Sequence, residues 1–314
     1  MAGSDEAGHD LVTAAQAEPS RRARLRGGDP GARHKGEVVR SDFTDGFTAL
    51  AHLALTGAQV SARVIDVRTG KALFSVDDHV VLPTASVGKV LLLLEIAARL
   101  DEQVHSRYDL LDRTPEDLVG DSGVWQYLHA PSLPLTDLAA LVAATSDNLA
   151  TNVLLRAVGL DAVHARGESL GLKRTALLDR VRDRRGPDDA PQLSVGSAAE
   201  LTTLFARVAR GEAVNRAVSS RVSDWLALNT DLSMVASAFA LDPLSHVRSD
   251  HGLSLFNKTG SDVGVRADAG VLRGPRASVA YTVTVQFEDD VHMNRLAVLQ
   301  AMRTIGLDIL EYVH

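Results

Sequence analysis

The chain has 314 residues, of which 45% are hydrophobic and 23% are charged, a composition typical of a globular protein with a sizeable core. The formal net charge of -7, without long runs of like charge, argues against a nucleic-acid-binding surface. The chain has no cysteine, which excludes disulfides, thiol nucleophiles and cysteine-based zinc sites.

The N-terminal segment differs in composition from the rest. Residues 1–42 show almost no apolar periodicity and predict a disordered lead-in ahead of one ordered domain at residues 43–314. The pair Arg21-Arg22 is not followed by the apolar stretch that an export signal needs. No segment reaches about 18 uninterrupted apolar residues, so we expect no membrane contact. As written, the chain is expected to be cytoplasmic; with a misassigned start, it would be periplasmic or secreted.

Predicted elements follow in three groups along the chain. The first group is a helix with a stripe of apolar side chains and then two strands: Phe43, Phe47, Leu50 and Ala54 in the stripe, with strands at 60–67 and up to Phe74. The middle is almost entirely helical, with segments at 86–100, 136–145, 147–158, 161–168 and 197–210. The last group has strands at 253–258, 266–273 and 278–287 and a helix at 292–312.

This order of elements predicts an α+β fold. Strands near both chain ends favour one antiparallel sheet flanked by helices, built from residues 43–82 and 212–314. Residues 83–211 are then expected to form an inserted all-helical subdomain.

Lys89 is conspicuous among only five lysines because it follows Ser86 by three residues, at the start of an apolar helix that we expect to be buried. Spacing of three on a helix places the two side chains next to each other. Burial lowers the pKa of a lysine, and a neutral amine can accept a proton from a serine. The pair is also compatible with a helix-capping serine beside a lysine whose ammonium reaches solvent.

Two further motifs lie at the ends of predicted elements. A Ser-Asp-Asn triplet at 146–148 separates two predicted helices, and a Lys-Thr-Gly triplet at 258–260 ends a predicted strand. Alone, the first is compatible with a helix cap and the second with a strand that ends in a turn. Each is expected by chance well under about 0.1 times in such a chain, so the three motifs together indicate one site.

With Ser-x-x-Lys, Ser-Asp-Asn and Lys-Thr-Gly in this order, the chain resembles the class A β-lactamases and penicillin-binding proteins. The resemblance covers most of residues 44–312 and is strongest to the β-lactamase-related serine hydrolases. It implies hydrolysis of a β-lactam or a related amide or ester through an acyl-enzyme, without metal or organic cofactor. Roles in β-lactam breakdown and antibiotic resistance are part of the same expectation.

The resemblance also implies roles for individual residues. Ser86 would be the nucleophile, Lys89 its base, and Ser146 the relay that carries a proton to the leaving nitrogen. Asn148 would position Lys89 and the substrate amide. The backbone N–H groups of Ser86 and Ser261 would form the oxyanion hole.

Substrate binding is implied for the Lys-Thr-Gly end of the site. Lys258, Thr259 and Gly260, together with Arg266 eight residues beyond Lys258, would bind a substrate carboxylate. The expected partner is therefore a small molecule with a carboxylate, bound by a monomer that contacts neither nucleic acid nor membrane.

One departure from the family bears on turnover. Class A β-lactamases carry a glutamate downstream of Ser-Asp-Asn that activates the deacylating water, and residues 178–186 here contain no glutamate. Asp183 is the candidate replacement, although the alternation of Asp and Arg also fits an ion-pair network that pins the loop. A penicillin-binding or D-alanyl-D-alanine peptidase-like enzyme, or an esterase with slow β-lactam release, is the closest alternative. A protein that captures a ligand without turnover is the alternative from another class.

Two other patterns carry less weight. Residues 167–171 match the nucleophile-elbow pattern Gly-x-Ser-x-Gly around Ser169, but that elbow follows a strand, and here a helix is predicted before it. The 11 histidines are scattered without metal-ligand spacing, so no metal site is predicted.

Overall fold

A computed structural model describes residues 42–314, and the structural statements below concern that part of the chain. The helices are α1 (Thr44–Leu55), α2 (Lys89–Asp101), α3 (Leu135–Thr145), α4 (Asn148–Val158), α5 (Leu160–Ser169), α6 (Ala198–Arg210), α7 (Arg216–Leu226) and α8 (His292–Val313). The strands are β1 (Gln59–Asp66), β2 (Ala72–Val76), β3 (Val81–Pro83), β4 (Leu110–Asp112), β5 (Ser132–Pro134), β6 (Ala176–Leu177), β7 (Ser194–Ser197), β8 (Ser254–Asp262), β9 (Val265–Arg273) and β10 (Ser278–Gln286). The lead-in predicted for residues 1–42 lies, except for residue 42, outside the described residues.

The central sheet is built from both ends of the chain. Its five antiparallel strands have the order β2-β1-β10-β9-β8, so β1 pairs with β10 although more than 200 residues separate them. The predicted α+β fold with a sheet assembled from the chain termini is therefore confirmed. Each strand runs antiparallel to its neighbours. Helices cover both faces of the sheet, so the interior residues of β9 and β10 are almost all buried.

One face of the sheet packs against α1 and α8. The apolar stripe predicted for α1 is partly wrong: Leu50 is buried as predicted, but Phe47 is 56% exposed. The buried face runs through Gly46 and Leu53 instead, because α1 lies directly on α8 at Gly46. A Cβ at Gly46 would lie about 3 Å from the side chains of Asp308 and Ile305, so only glycine allows this close approach.

The other face packs against the helical layer. Helix α2 runs through this layer with ten consecutive buried residues, Lys89 to Ala98, which agrees with the predicted burial of the segment. Helix α7, which the sequence pattern did not reveal, also contributes to this layer through Val218, Val222 and Leu226. No helix in the described part of the chain is long and apolar enough to cross a membrane.

Two small sheets accompany the helical layer, and one of them, through β3, also contacts the central sheet. The strands β3, β7 and β6 pair in that order, and β4 pairs with β5. None of these strands was predicted, because segments of two to four residues are too short to show an alternating pattern. Strand β3 leads directly into the turn before α2, and this turn positions the candidate site.

Candidate active site

Ser86 lies in a single 3₁₀ turn, Ala85–Gly88, immediately before α2. The preceding residue, Ala85, has φ of 46°, a left-handed conformation that is unfavourable for alanine. Ser194 of β7 holds this turn in place: its hydroxyl donates to the Ala85 carbonyl oxygen at 2.6 Å and contacts the Thr84 hydroxyl at 2.7 Å. Ser194 was not identified from the sequence, where it lies more than 100 residues from Ser86 without a motif of its own.

Lys89 begins α2 and is fully buried. Its Nζ is 2.7 Å from the backbone oxygen of Ser146, 2.7 Å from Oδ1 of Asn148 and 3.2 Å from Oγ of Ser146. Burial lowers the pKa of the amine well below its usual value, and the positive charge of Lys258 lowers it further. The predicted buried lysine with a lowered pKa is therefore present, and its hydrogen bonds are to the Ser-Asp-Asn triplet.

The hydrogen bonds of Lys89 determine what a neutral amine can do. The Ser146 carbonyl can only accept, and Asn148 presents its oxygen because its amide nitrogen donates to the Gly120 carbonyl at 3.0 Å. A neutral Lys89 has two N–H bonds, and these two acceptors use both. Its lone pair can then accept from the Ser146 hydroxyl, which lies 3.2 Å from Nζ. No hydrogen bond joins the side chains of Ser86 and Lys89 in the described part of the chain.

The middle residue of the Ser-Asp-Asn triplet has a structural role. The Asp147 carboxylate caps α4 by accepting from the Ala150 N–H at 2.9 Å and also accepts from the N–H groups of Val124 and Trp125 at 2.8 Å. These bonds attach the 120–125 loop to the start of α4. Gly123 has a φ of 111°, and a Cβ there would collide with Asp147, so this close attachment requires glycine.

The Lys-Thr-Gly triplet brings β8 against the turn that carries Ser86. A Cβ at Gly260 would collide with the Thr84 carbonyl oxygen and lie 2.9 Å from the Ser86 amide nitrogen, so glycine permits this approach. Strand β8 is the outer strand of the sheet, so its free edge keeps unpaired backbone groups available to a ligand. Lys258 is fully buried, and its Nζ donates to the Thr259 carbonyl at 2.8 Å.

Burial and nearby carboxylates shift the pKa of Lys258 in opposite directions. Burial lowers its pKa to about 8, while the negative charges of Asp231 and Asp268 oppose this effect. Burial raises the pKa of Asp268 to about 7, and its Oδ1 accepts from Asn257, the residue before Lys258, at 2.9 Å. Lys258 is therefore largely a cation at neutral pH.

Arg266 and Ser261 lie opposite each other in the β8–β9 pairing. The Arg266 guanidinium donates to the carbonyls of Asp262 and Val265, lies 5.9 Å from the centre of the Phe287 ring and approaches Asp289 at 3.9 Å. These contacts hold it against its own hairpin, and no hydrogen bond joins it to the Lys-Thr-Gly triplet among the described residues. Ser261 is exposed at the end of β8, next to Gly260.

The loop at 178–190 is anchored by Asn152 of α4. The Asn152 side chain donates to the carbonyls of Asp117 and Val181 at 3.2 and 3.0 Å and accepts from the Val181 N–H at 2.9 Å. Asp179 forms ion pairs with Arg182 and Arg185, both at 2.8 Å. The ion-pair network expected from the alternation of Asp and Arg thus centres on Asp179.

Asp183 has a different environment in the same loop. It is exposed, and its Oδ1 accepts from the Gly120 N–H at 2.9 Å. The Gly120 carbonyl in turn accepts a hydrogen bond from Asn148, whose side-chain oxygen accepts from Lys89. Asp183 is therefore connected to the site through the backbone of one residue, Gly120, and one of its two carboxylate oxygens is already engaged.

The two weaker patterns do not form sites. Ser169 lies at the C-terminal end of α5, where its hydroxyl donates to the Arg166 carbonyl at 2.7 Å, so the Gly-x-Ser-x-Gly pattern follows a helix instead of a strand. Within residues 42–314, no group of three or more His, Asp or Glu side chains is arranged to hold a metal ion.

Lys89 bonds to the Ser-Asp-Asn triplet, and Gly260 lies against the turn that carries Ser86, so the fold brings the three motifs together. The family model described as "Beta-lactamase enzyme family" matches residues 43–313. The chain belongs to this family, which confirms the resemblance inferred from its three motifs.

Solved structures share this fold. A β-lactamase from Sphaerobacter thermophilus is 25% identical and has a TM-score of 0.74, over 86% of this chain and 96% of that one. PBP-A is 18% identical with a TM-score of 0.71, over 85% of this chain and 96% of that one. A β-lactamase from Xanthomonas campestris is 17% identical with a TM-score of 0.72, over 88% and 100% of the two chains. A search of the curated proteins found no match.

Proposed function

We propose that this chain is a serine hydrolase in which Ser86 forms an acyl-enzyme with a β-lactam or a related amide or ester, and that this acyl-enzyme is released slowly. The observation that carries the proposal is the set of hydrogen bonds around the buried Lys89. These two acceptors leave the lone pair of a neutral amine unused at the start of α2, three residues after Ser86, where the Ser146 hydroxyl lies 3.2 Å away.

In the acylation step, Ser86 Oγ attacks the substrate carbonyl carbon and its proton passes to Lys89 Nζ. The carbonyl oxygen becomes an oxyanion, which the backbone N–H groups of Ser86 and Ser261 stabilise. Loss of one such donor lowers the rate about 10²–10³-fold. Support for this pairing comes from Gly260, which brings β8 to within contact of the Ser86 amide.

Collapse of the tetrahedral intermediate breaks the carbon–nitrogen or carbon–oxygen bond of the substrate. The leaving atom receives its proton from Ser146 Oγ, which is replenished from Lys89 Nζ at 3.2 Å. The result is an ester between Ser86 and the substrate acyl group, and the proton that left Ser86 has reached the leaving group. Asn148 keeps Lys89 oriented during both transfers.

Release of the acyl group requires a water activated by a general base. The loop at 178–190 offers Asp179, which is held in two ion pairs, and Asp183, which is exposed and bonded to the Gly120 N–H. Neither arrangement resembles a carboxylate held over the ester, so we expect acylation to outpace release. PBP-A is a neighbour in fold, and a point mutant of it is described as an acyl-enzyme complex with penicillin G.

The nucleophile is tested with a fluorescent penicillin and a fluorophosphonate, followed by intact-protein mass. Wild type and Ser169→Ala should both be labelled, because Ser169 is exposed on α5 and its hydroxyl donates to the Arg166 carbonyl of the same helix. Ser86→Ala should show no adduct. Labelling that survives in Ser86→Ala and disappears in Ser169→Ala would overturn the proposal, and no adduct on wild type would support a protein without acyl-transfer chemistry.

Slow release is tested with a chromogenic cephalosporin in rapid mixing. We expect a burst close to one equivalent of enzyme followed by a slow phase, because loss of a positioned base costs about 10²–10⁴ in the step it serves. Asp183→Ala should leave the slow phase nearly unchanged. Rapid turnover without a burst, abolished in Asp183→Ala, would instead make Asp183 the deacylation base.

A further inference from the structure

A buried polar cluster lies next to the Lys-Thr-Gly triplet, among the apolar side chains that pack against α1 and α8. Its centre is the fully buried Asp268 carboxylate on β9. Oδ1 accepts from the Asn257 side-chain amide at 2.9 Å and from the Tyr281 hydroxyl at 3.2 Å, and Oδ2 accepts from the Ala236 N–H at 3.3 Å. A Cβ at Gly270 would lie 2.5 Å from the Asn257 Cβ, so glycine leaves room for this cluster.

Hydrogen bonds continue from this cluster to the Ser-Asp-Asn triplet. The Asn257 side-chain oxygen accepts from the Asn229 side-chain amide at 2.9 Å. The next residue, Thr230, donates through its N–H and its hydroxyl to the Ala144 carbonyl, both at 3.0 Å. Asn257 directly precedes the Lys-Thr-Gly triplet, and Ala144 lies on α3, two residues before the Ser-Asp-Asn triplet. One chain of contacts therefore joins the two triplets from behind the site.

The direction of the hydrogen bonds in this chain depends on Asp268. A carboxylate can only accept, whereas an amide side chain has one donor end and one acceptor end. The Asn257 nitrogen faces Asp268, so its oxygen faces Asn229, and the Asn229 oxygen accepts from the Asp231 N–H at 3.3 Å. With an amide in place of the Asp268 carboxylate, two donors would face each other at one of these contacts, the Ala236 N–H included. A buried donor would then be left unpaired.

We propose that Asp268 is a positioning residue: by orienting the Asn257 and Asn229 side chains, it fixes the distance between the Lys-Thr-Gly and Ser-Asp-Asn triplets, and with it the width of the substrate site. In the described part of the chain, no hydrogen bond joins the side chains of the two triplets directly, so their spacing depends on residues behind them. This inference rests on the proposed function, because it concerns the site around Ser86.

The test exchanges the two side chains that meet at 2.9 Å. In the double variant Asn257→Asp/Asp268→Asn, the new carboxylate accepts from Asn229 and from the new amide. The oxygen of that amide accepts from the Ala236 N–H, and its nitrogen can donate to the Tyr281 hydroxyl, so every contact is kept with one bond reversed. Asp268→Asn alone leaves a donor unpaired, and Asn257→Asp alone places two carboxylates in contact. Both single variants should be impaired, and the exchange should restore acylation to within about threefold of wild type.

Positioning and a general loss of stability predict different results. Acylation by a fluorescent penicillin is followed in rapid mixing against penicillin concentration, at pH 8, above the pKa of about 7 of the Asp268 carboxyl. We expect Asp268→Asn to raise the half-saturating concentration about tenfold, because a wider site weakens binding by Lys258 and Thr259. The limiting rate constant, which depends on Ser86 and Lys89, should change less than about threefold. Urea unfolding measures the stability of each variant separately.

Asn229→Ala cuts the chain at its other end and should raise the half-saturating concentration as Asp268→Asn does, which keeps the inference testable if Asp268→Asn fails to fold. Asp308→Asn is the control. It makes the same carboxylate-to-amide change at a buried residue of α8, whose carboxylate accepts from the Gly46 N–H at 2.9 Å, and it should leave both constants unchanged.

A wild-type half-saturating concentration in Asp268→Asn or Asn229→Ala, a defect confined to the limiting rate constant, or no recovery in the exchange variant would overturn this inference. Labelling of wild type at Ser86 would still support the proposed function in each of these cases. Absence of any acylation of wild type would overturn the proposed function and this inference with it.

Discussion

The buried Lys258 has a cost in stability that can be measured. Its pKa falls from 10.5 to about 8 on folding, which corresponds to about 3 kcal/mol of destabilisation whenever both the folded and the unfolded chain carry the charge. Methionine has a similar unbranched shape without the charge. We therefore expect Lys258→Met to have a higher free energy of unfolding than wild type by up to about 3 kcal/mol near pH 7.5.

The pH dependence follows from the direction of the shift. Below pH 8, both states of wild type are protonated and the full penalty applies. As the pH rises from 8 towards 10.5, the folded state loses its proton first, so wild type becomes more stable relative to the variant. The advantage of Lys258→Met should shrink to about 1 kcal/mol near pH 9.5.

Urea unfolding of both proteins near pH 7.5 and 9.5 measures this difference. Both values lie above the pKa of about 7 of the coupled Asp268 carboxyl, which limits its contribution. Lys71→Met, at an exposed lysine, is the control and should change stability little at either pH. A Lys258→Met variant that is less stable than wild type, or an advantage independent of pH, would refute the reasoning.

Three further variants test the positioning of the site. Lys89→Arg should lower the Ser86 acylation rate about 10²–10⁴-fold, because a guanidinium remains protonated and cannot act as a base; fluorescent penicillin labelling over time measures it. Ser194→Ala should cost about 1–3 kcal/mol in urea unfolding and slow acylation, because the Ala85 carbonyl and the Thr84 hydroxyl lose their partner, and an unchanged rate would show that the turn holds itself. Asn152→Ala removes three hydrogen bonds to the backbone of Asp117 and Val181. The 178–190 loop should then become sensitive to limited proteolysis, while the burst of acylation stays near one equivalent of enzyme.

Much of the fold was predictable because its long elements carry strong periodic signals. The three strands after residue 253 and the helices α3 to α6 and α8 lie within a few residues of the predicted segments, apart from the C-terminal end of β8. The misplaced stripe of α1 has a tertiary cause, since the contact of Gly46 with α8 turns Phe47 towards solvent. Helix α7 was missed although its buried apolar residues have the spacing of one helical face: Val218, Val222, Trp225 and Leu226.

The site was predictable only where a short motif carries it. Ser86, the Ser-Asp-Asn triplet and the Lys-Thr-Gly triplet are recognisable because each has a fixed local spacing. Ser194 and Asn152 act through hydrogen bonds to residues more than 25 positions away in the sequence, and such partners leave no local pattern.

The cost of burying Lys258 and the activation of Lys89 have a common origin. The positive charge of Lys258 is the second cause, after burial, of the lowered pKa of Lys89. A neutral Lys258 would let Lys89 hold its proton to higher pH, which would weaken it as the base for Ser86. The same cation that destabilises the folded state therefore lowers the pKa of Lys89, which favours its action as a base. A substitution that relieves the strain at Lys258 should accordingly stabilise the fold and slow acylation together, as expected when buried charges are retained for chemistry.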